Sequence, residues 1–214
     1  MSKYLALNIS VSEDGYMAGP NQSLDNPLGE NGKLLHEWVF PTKAFNEWIG
    51  GSDGTTGIDN DYIKRGFTNF GATIMGRNMF GPIRGAWPDE SWKGWWGPNP
   101  PFGYPVFILT HYPRESIDMG NGTVFHFVTG GIEQACELSD QVAHGKDIRV
   151  GGGANTLQQF MEAALLDEIH IAQVPINLGS GEILFTNPDL QLHHYRKVEP
   201  VNSSSVTHQT YLKR

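Results

Sequence analysis

The sequence predicts an α/β domain of three layers, with a mixed, mostly parallel sheet that ends in a C-terminal antiparallel hairpin. Three observations carry that expectation. Short β-branched and apolar runs alternate with runs of helical period through the middle and later parts of the chain, the rhythm of a sheet with crossover helices. The tail HHYRKVEPVNSSSVTHQTYLK divides into two strands around a polar turn, and a hairpin of that kind mixes antiparallel pairs into a parallel sheet. A length of 214 residues, 39% of them hydrophobic, suits one sizeable domain over 1–214 with an ample core.

Taken in order, KYLALNISVS has the apolar and β-branched content of a strand, and EDG supplies the turn after it. Residues 19–34, rich in Gly, Pro and Asn, form a loop or lid. TKAFNEW is a short helix and GGSDGTTG a connection, so that about 19–57 is an inserted loop region. Asp59 or Asn60 can cap a helix carrying Ile63, Phe67 and Phe70, and ATIM is a buried-strand candidate. A second insertion, at about 84–104, contains PDESWKGWWGPNPPFGYP, too broken by Pro and Gly for a helix. YPVFILT, TVFHFV, DIRV and DEIHIAQVPIN are strands, while GIEQACELSDQVA and ANTLQQFMEAAL are helices. Neither an internal repeat nor a low-complexity tail is present.

A formal net charge of −8 and the lack of a basic stripe argue against nucleic acid as a partner. No run approaches the length of a membrane span, and the N-terminal residues lack the pattern of a secretory signal. A cytoplasmic protein without a membrane partner is the expectation, and the single cysteine, Cys136, fits a reducing compartment. Cys136 has the neighbours of a buried helix residue. His193 and His194 are adjacent, so on a strand they point to opposite faces and cannot share an ion; with no cysteine cluster, no metal is expected. His126 and His170 lie within apolar strands and read as structural.

The stretch DIRVGGGANTLQQF joins a strand to a helix through three glycines. Such a corner either presents backbone N–H groups and the positive end of a helix to an anion or is simply a tight turn. The aromatic segment poses a similar pair of readings. Trp92, Trp95, Trp96, Phe102 and Tyr104, with Trp38 and Trp48 from the earlier insertion, either wall a pocket for a flat ring or plug a core or interface.

Three segments in order, SEDGYMAG, TIMGRNMFG and RVGGGANTLQQFMEAALLDEIHIAQVPINLGSGEILF, resemble the dihydrofolate reductase-like fold, most closely the reductase family named for the C-terminal domain of RibD. Leu165, Asp167, Glu168, Pro175, Gly179 and Gly181 match that family's LxDE and PxxxGxG pattern, and the likeness runs from about residue 3 to the last strands. It implies NADPH at the carboxyl ends of the strands. Gly151, Gly152, Gly153, Ala154, Asn155 and Thr156 would face the pyrophosphate, and Gly76, Arg77, Asn78 and Met79 match a second phosphate-contacting corner. Thr110, His111 and Arg114 fall where related reductases hold the 2′-phosphate, while Asp14, Gly15 and Tyr16 would shape the nicotinamide side. The substrate expected is a small planar molecule near His36, Trp95, Trp96 and Phe102, reduced at a C=N or C=O bond, and the family implies a homodimer. Two departures stand out. An ungapped count from Arg77 to the folate enzymes' proton-donating acid lands on Asn60, leaving Asp59, Asp61 or Tyr16 as proton sources, and Gly152 occupies a position where RibD reductases carry a substrate-binding Glu. A dinucleotide-binding protein without catalysis is the alternative.

Overall fold

The computed structural model describes residues 2–81 and 84–214. Strand β1 (Tyr4–Ser12) opens the chain and is followed by the short β2 (Tyr16–Ala18), a 3-10 turn at Gly32–His36, α1 (Lys43–Trp48) and α2 (Ile58–Arg65). The alternating region comprises β3 (Phe70–Gly76), α3 (Arg77–Phe80), β4 (Val106–Leu109), β5 (Ile117–Asp118), β6 (Val124–Val128), α4 (Gly131–Ala143), β7 (Asp147–Val150), α5 (Ala154–Glu162) and β8 (Glu168–Val174). The chain ends with β9 (Glu182–Ile183), α6 (Pro188–Gln191), β10 (Tyr195–Lys197), β11 (Val201–Asn202) and β12 (Thr207–Lys213).

The main sheet runs β10-β12-β8-β1-β7-β3-β4-β6-β5, and β11 pairs with β12 outside that path. The six central strands from β8 to β6 are parallel neighbours, and β12, β10 and β5 add antiparallel edges. This is the mixed, mostly parallel sheet with a C-terminal hairpin that the sequence predicts. The short β2 and β9 form a separate antiparallel pair.

Alternation along the strands divides the core. Ile148 and Val150 of β7 join Ala6 and Ile9 against Ile132, Ala135, Leu157, Phe160 and Met161 of α4 and α5. On the opposite face, Ala172 and Val174 of β8 pack under Leu35, Trp38 and Ile63. Farther along that face, Met75, Val106 and Ile108 lie beneath Phe102 and Phe125, with Trp48, Trp92 and Trp96 against them. Burial of a side chain such as Phe160 or Leu157 contributes roughly 1.5–3 kcal/mol, so α5 is held by its apolar stripe rather than by propensity.

Three local readings need correction. Helix α2 begins at Ile58 with Gly57 at its cap, so neither Asp59 nor Asn60 caps it; the Asn60 side chain instead accepts the Ala44 N–H at 2.8 Å, near the start of α1. Phe70 belongs to β3, because the helix stops at Arg65 and Asn69 turns left-handed at φ 66°. His193 and His194 fall in the turn after α6 rather than on a strand. Among the described residues no group of side chains could hold a metal ion, and no helix is long and apolar enough to cross a membrane.

Candidate dinucleotide site

Strands β7 and β3 end side by side, which brings the two glycine corners together. Gly151 N–H donates to Ile74 O at 2.8 Å, and Gly76 N–H donates to Gly152 O at 2.9 Å. A Cβ on Gly76 would lie 2.5 Å from Thr156 Oγ1, and one on Gly151 would lie 2.9 Å from Met79 Sδ. Gly76 therefore allows the close approach of the α5 corner, whereas a side chain at Gly151 would have to displace the flexible end of Met79. The Gly152–Gly153 peptide is cis. Gly153 caps α5 without a side chain, so the N–H groups of Ala154, Asn155 and Thr156 open the helix with no carbonyl one turn behind them. That end of a nine-residue helix suits a phosphate in both charge and hydrogen bonding. The donor set fits the dinucleotide implied by the sequence.

Arg77, first residue of α3, and Arg114, after β4, converge on the same region. Burial and the nearby Arg114 hold the Arg77 guanidinium below its usual pKa, and burial does the same to Arg114. Nε and Nη2 of Arg77 and Nη1 of Arg114 are buried without a partner among the described residues. Two desolvated cations with spare donors fit an oxyanion. Thr110 accepts the Tyr112 N–H at 3.1 Å and so shapes the loop, while His111 is exposed beside it. Asn78 and Met79 are half-buried, and Asn155 accepts a bond from Gln159 at 2.7 Å. Trp87 and Tyr112, which sequence reasoning passed over, both lie against Arg77.

On the other side of the glycine turn, Asp14 does not offer its carboxylate to a ligand. Oδ1 accepts Ser12 Oγ–H at 2.6 Å and Leu178 N–H at 3.1 Å, and Oδ2 accepts Gly179 N–H at 2.7 Å. The Ser12 bond, ahead of the backbone donors, holds the acid below the usual carboxylate range. Asp14 thus staples the β1–β2 turn to the PxxxGxG loop. Gly15, at φ 92°, makes that turn possible and accepts the Leu184 N–H. Met17, rather than Tyr16, is the β2 side chain that reaches Gly152, its Cε 3.6 Å from the position of a Cβ there. A cleft of about 380 Å³ opens beside this turn, lined by Gly19–Gln22, Arg84, Gly181 and Glu182.

The candidate proton carriers are dispersed. Asp61 is exposed on α2. Asp59 faces inward and accepts a bond from His208 Nε2 at 2.9 Å. His36, in the 3-10 turn, is half-buried, and burial pushes its imidazole down to about 4, so it is neutral near pH 7.

The aromatic insertion resolves into packing. Phe102 is 6% exposed, enclosed by Trp96, Trp48 and Phe125, and so presents no free wall to a substrate, while Trp96 lies near-parallel to Phe125 at 6.0 Å and is half-buried. Trp95 packs edge-on against Trp92. An unanticipated cation lies nearer the sheet. Arg149 of β7 points away from the α5 face, its guanidinium 5.4 Å from the Phe67 ring, with no side-chain hydrogen bond and no ion pair among the described residues. Burial lowers its pKa. The residue is only half-buried, with Nε alone of its guanidinium nitrogens enclosed, so Arg149→Met is expected to gain at most about 1 kcal/mol. For a chain of this size that is roughly 2–4 °C in thermal midpoint. A midpoint that falls would show that the guanidinium is satisfied as it stands.

Comparison with known proteins agrees with this architecture. The family model for the RibD C-terminal domain matches residues 3–212. A Shewanella sp. PV-4 protein named for riboflavin biosynthesis superposes with a TM-score of 0.58 at 21% identity, over 100% of this chain and 99% of that one. Dihydrofolate reductase from Enterococcus faecalis, complexed with NADP(H) and RAB-propyl, gives 0.52 at 13% identity, over 99% and 96%. A Thermotoga maritima diaminohydroxyphosphoribosylaminopyrimidine deaminase/5-amino-6-(5-phosphoribosylamino)uracil reductase gives 0.54 at 11% identity, with all of this chain matching 57% of that one. At these identities the structural likeness is one of fold. No curated protein matches the chain.

Proposed function

Since this chain belongs to the RibD C-terminal domain family, we propose that it is an NADPH-dependent reductase acting on a C=N or C=O bond of a small, planar heterocyclic substrate. The observation that carries the proposal is the juxtaposition of the two glycine corners with a pair of under-bonded arginines at one end of the parallel strands. The N–H groups opening α5, with Gly76 and Thr156 closing the corner, would hold the pyrophosphate. Arg77 and Arg114, flanked by Thr110 and His111, would hold the 2′-phosphate. Bound NADPH would supply the hydride. The protein's part is orientation and exclusion of water, with Met17 and the Asp14-stapled turn setting the edge of the reacting pocket. The Tyr16 hydroxyl is assigned the proton that completes reduction, recharged from solvent, although Met17 is the β2 side chain that faces Gly152. Asp59 and Asp61 are the alternative acids.

Fluorescence titration with NADPH and NADH tests the cofactor assignment. Two guanidinium groups at a phosphate should favour NADPH by roughly tenfold or more. Equal affinities would remove the 2′-phosphate assignment. A protein that binds NADPH but never oxidises it with pterin, pyrimidine or quinone-like compounds would instead be a binding protein.

A further inference from the structure

Residues 85–90 lie over the two arginines, and their chemistry mimics part of a nucleotide. The Trp87 ring centre is 3.7 Å from the Arg77 guanidinium carbon and 4.9 Å from that of Arg114. Tyr112 covers Arg77 as well, at 5.4 Å. Stacked planar groups touch at about 3.5–4 Å, so another ring entering between Arg77 and Trp87 needs about twice the separation present. The segment also supplies acceptors: Arg77 Nη1 donates to Gly85 O, and Arg114 Nη2 donates to Glu90 O at 2.7 Å. Asp89 and Glu90 set negative charge beside Arg114. Trp87 is fixed in turn by its own Nε1–H, which donates to Tyr112 O at 3.0 Å. One strap therefore brings a planar aromatic, two backbone acceptors and two carboxylates to a pair of cations.

We propose that the 85–90 strap is a built-in competitor for the adenosine 2′-phosphate end of the dinucleotide, with Trp87 in the place of the base. The inference rests on the nucleotide reading above and adds that this site is self-occupied before the cofactor arrives. An adenine tethered to a phosphate on Arg77 and Arg114 can reach their faces only after the indole has left. The apparent affinity is then reduced by the fraction of molecules with the strap in place. Loss of a partly desolvated cation–π stack corresponds to about a tenfold rise in the fraction with the strap out.

The test uses 2′,5′-ADP with wild-type protein and Trp87→Ala, measured by calorimetry because the substitution removes a fluorophore. The strap predicts about tenfold tighter binding by the variant. In wild type it also predicts faster amide hydrogen exchange across 85–90 when 2′,5′-ADP is added, a readout that does not depend on how the variant folds. Unchanged or weaker binding by Trp87→Ala, or slower exchange in the strap while wild type still binds NADPH, would overturn the strap alone. If neither NADPH nor 2′,5′-ADP binds wild type or variant, the nucleotide reading fails and the strap fails with it.

Discussion

Gly153→Asp is expected to weaken NADPH binding by about 100-fold or more while leaving the fold intact. Gly153 has φ −82° and ψ −169°, an extended conformation open to any residue, and a Cβ there would meet nothing within 4 Å. The new carboxylate would stand at the cap of α5. From that position it can accept the N–H of Asn155 or Thr156, the hydrogen bond that makes aspartate a favourable cap, worth about a few tenths of a kcal/mol over glycine. Those same donors are the ones assigned to the pyrophosphate, and the added negative charge repels it. Loss of charge-assisted bonds plus repulsion at short range amounts to about 3 kcal/mol. The variant therefore moves two quantities in opposite directions: thermal midpoint up or unchanged, affinity down. Gly153→Ala, which fills the same space without charge, should bind much as wild type does. NADPH affinity equal in Gly153→Asp and wild type would dispose of the glycine turn as a phosphate site.

That turn was legible in the sequence because its information is local. A strand, three glycines and an amphipathic helix follow one another within fourteen residues, and period and composition alone place them. The same holds for α4, β8 and the final hairpin. Local signals fail where a partner comes from a distant segment. Asn60 looked like a cap for its own helix, yet its side chain serves α1, sixteen residues earlier. Trp87 lay unnoticed just ahead of a denser aromatic run, and nothing in a loop without periodicity reveals that it stacks on Arg77. The denser run divided the other way, since Phe102 fills a hole between Trp48 and Phe125 that exists only once the insertion folds back over β4 and β6. Asp14 matched a motif, but its carboxylate is consumed by backbone from Leu178 and Gly179. Motif matching picked out segments that the fold brings to one corner of the molecule, but not the contacts each side chain makes there.

Acid should destabilise this protein early, through a chain of residues that no sequence window contains. His170 on β8 and His208 on β12 are both 1% exposed, and their rings lie against Tyr62 of α2. Asn8 N–H donates to His170 Nδ1 at 3.2 Å, His170 Nε2 faces His208 Nδ1 at 3.0 Å, and His208 Nε2 faces Asp59 Oδ1 at 2.9 Å. A backbone N–H can only donate, so His170 Nδ1 is bare and its proton sits on Nε2; His208 Nδ1 must then accept, leaving its own proton directed at the carboxylate. The chain is complete only with both rings neutral, because one more proton on either ring would face another N–H. Burial, with the His208 and Arg65 charges nearby, pushes His170 down to about 3 from an ordinary 6.5, and burial lowers His208 despite the pull of Asp59. A folded-state value below the unfolded one means that the unfolded chain binds the extra proton between them. Stability is therefore full above pH 6.5 and falls as pH drops towards 3, at about 1.4 kcal/mol per unit for His170. By about pH 4.5 the loss is about 2–3 kcal/mol, or roughly 5–10 °C of thermal midpoint. His170→Gln can accept from Asn8 and donate towards His208 without titrating, so it should start less stable near neutrality yet lose less on acidification. Thermal midpoints measured for both proteins from pH 7.5 downwards should converge; curves that run parallel would show that the buried pair does not set the acid limit.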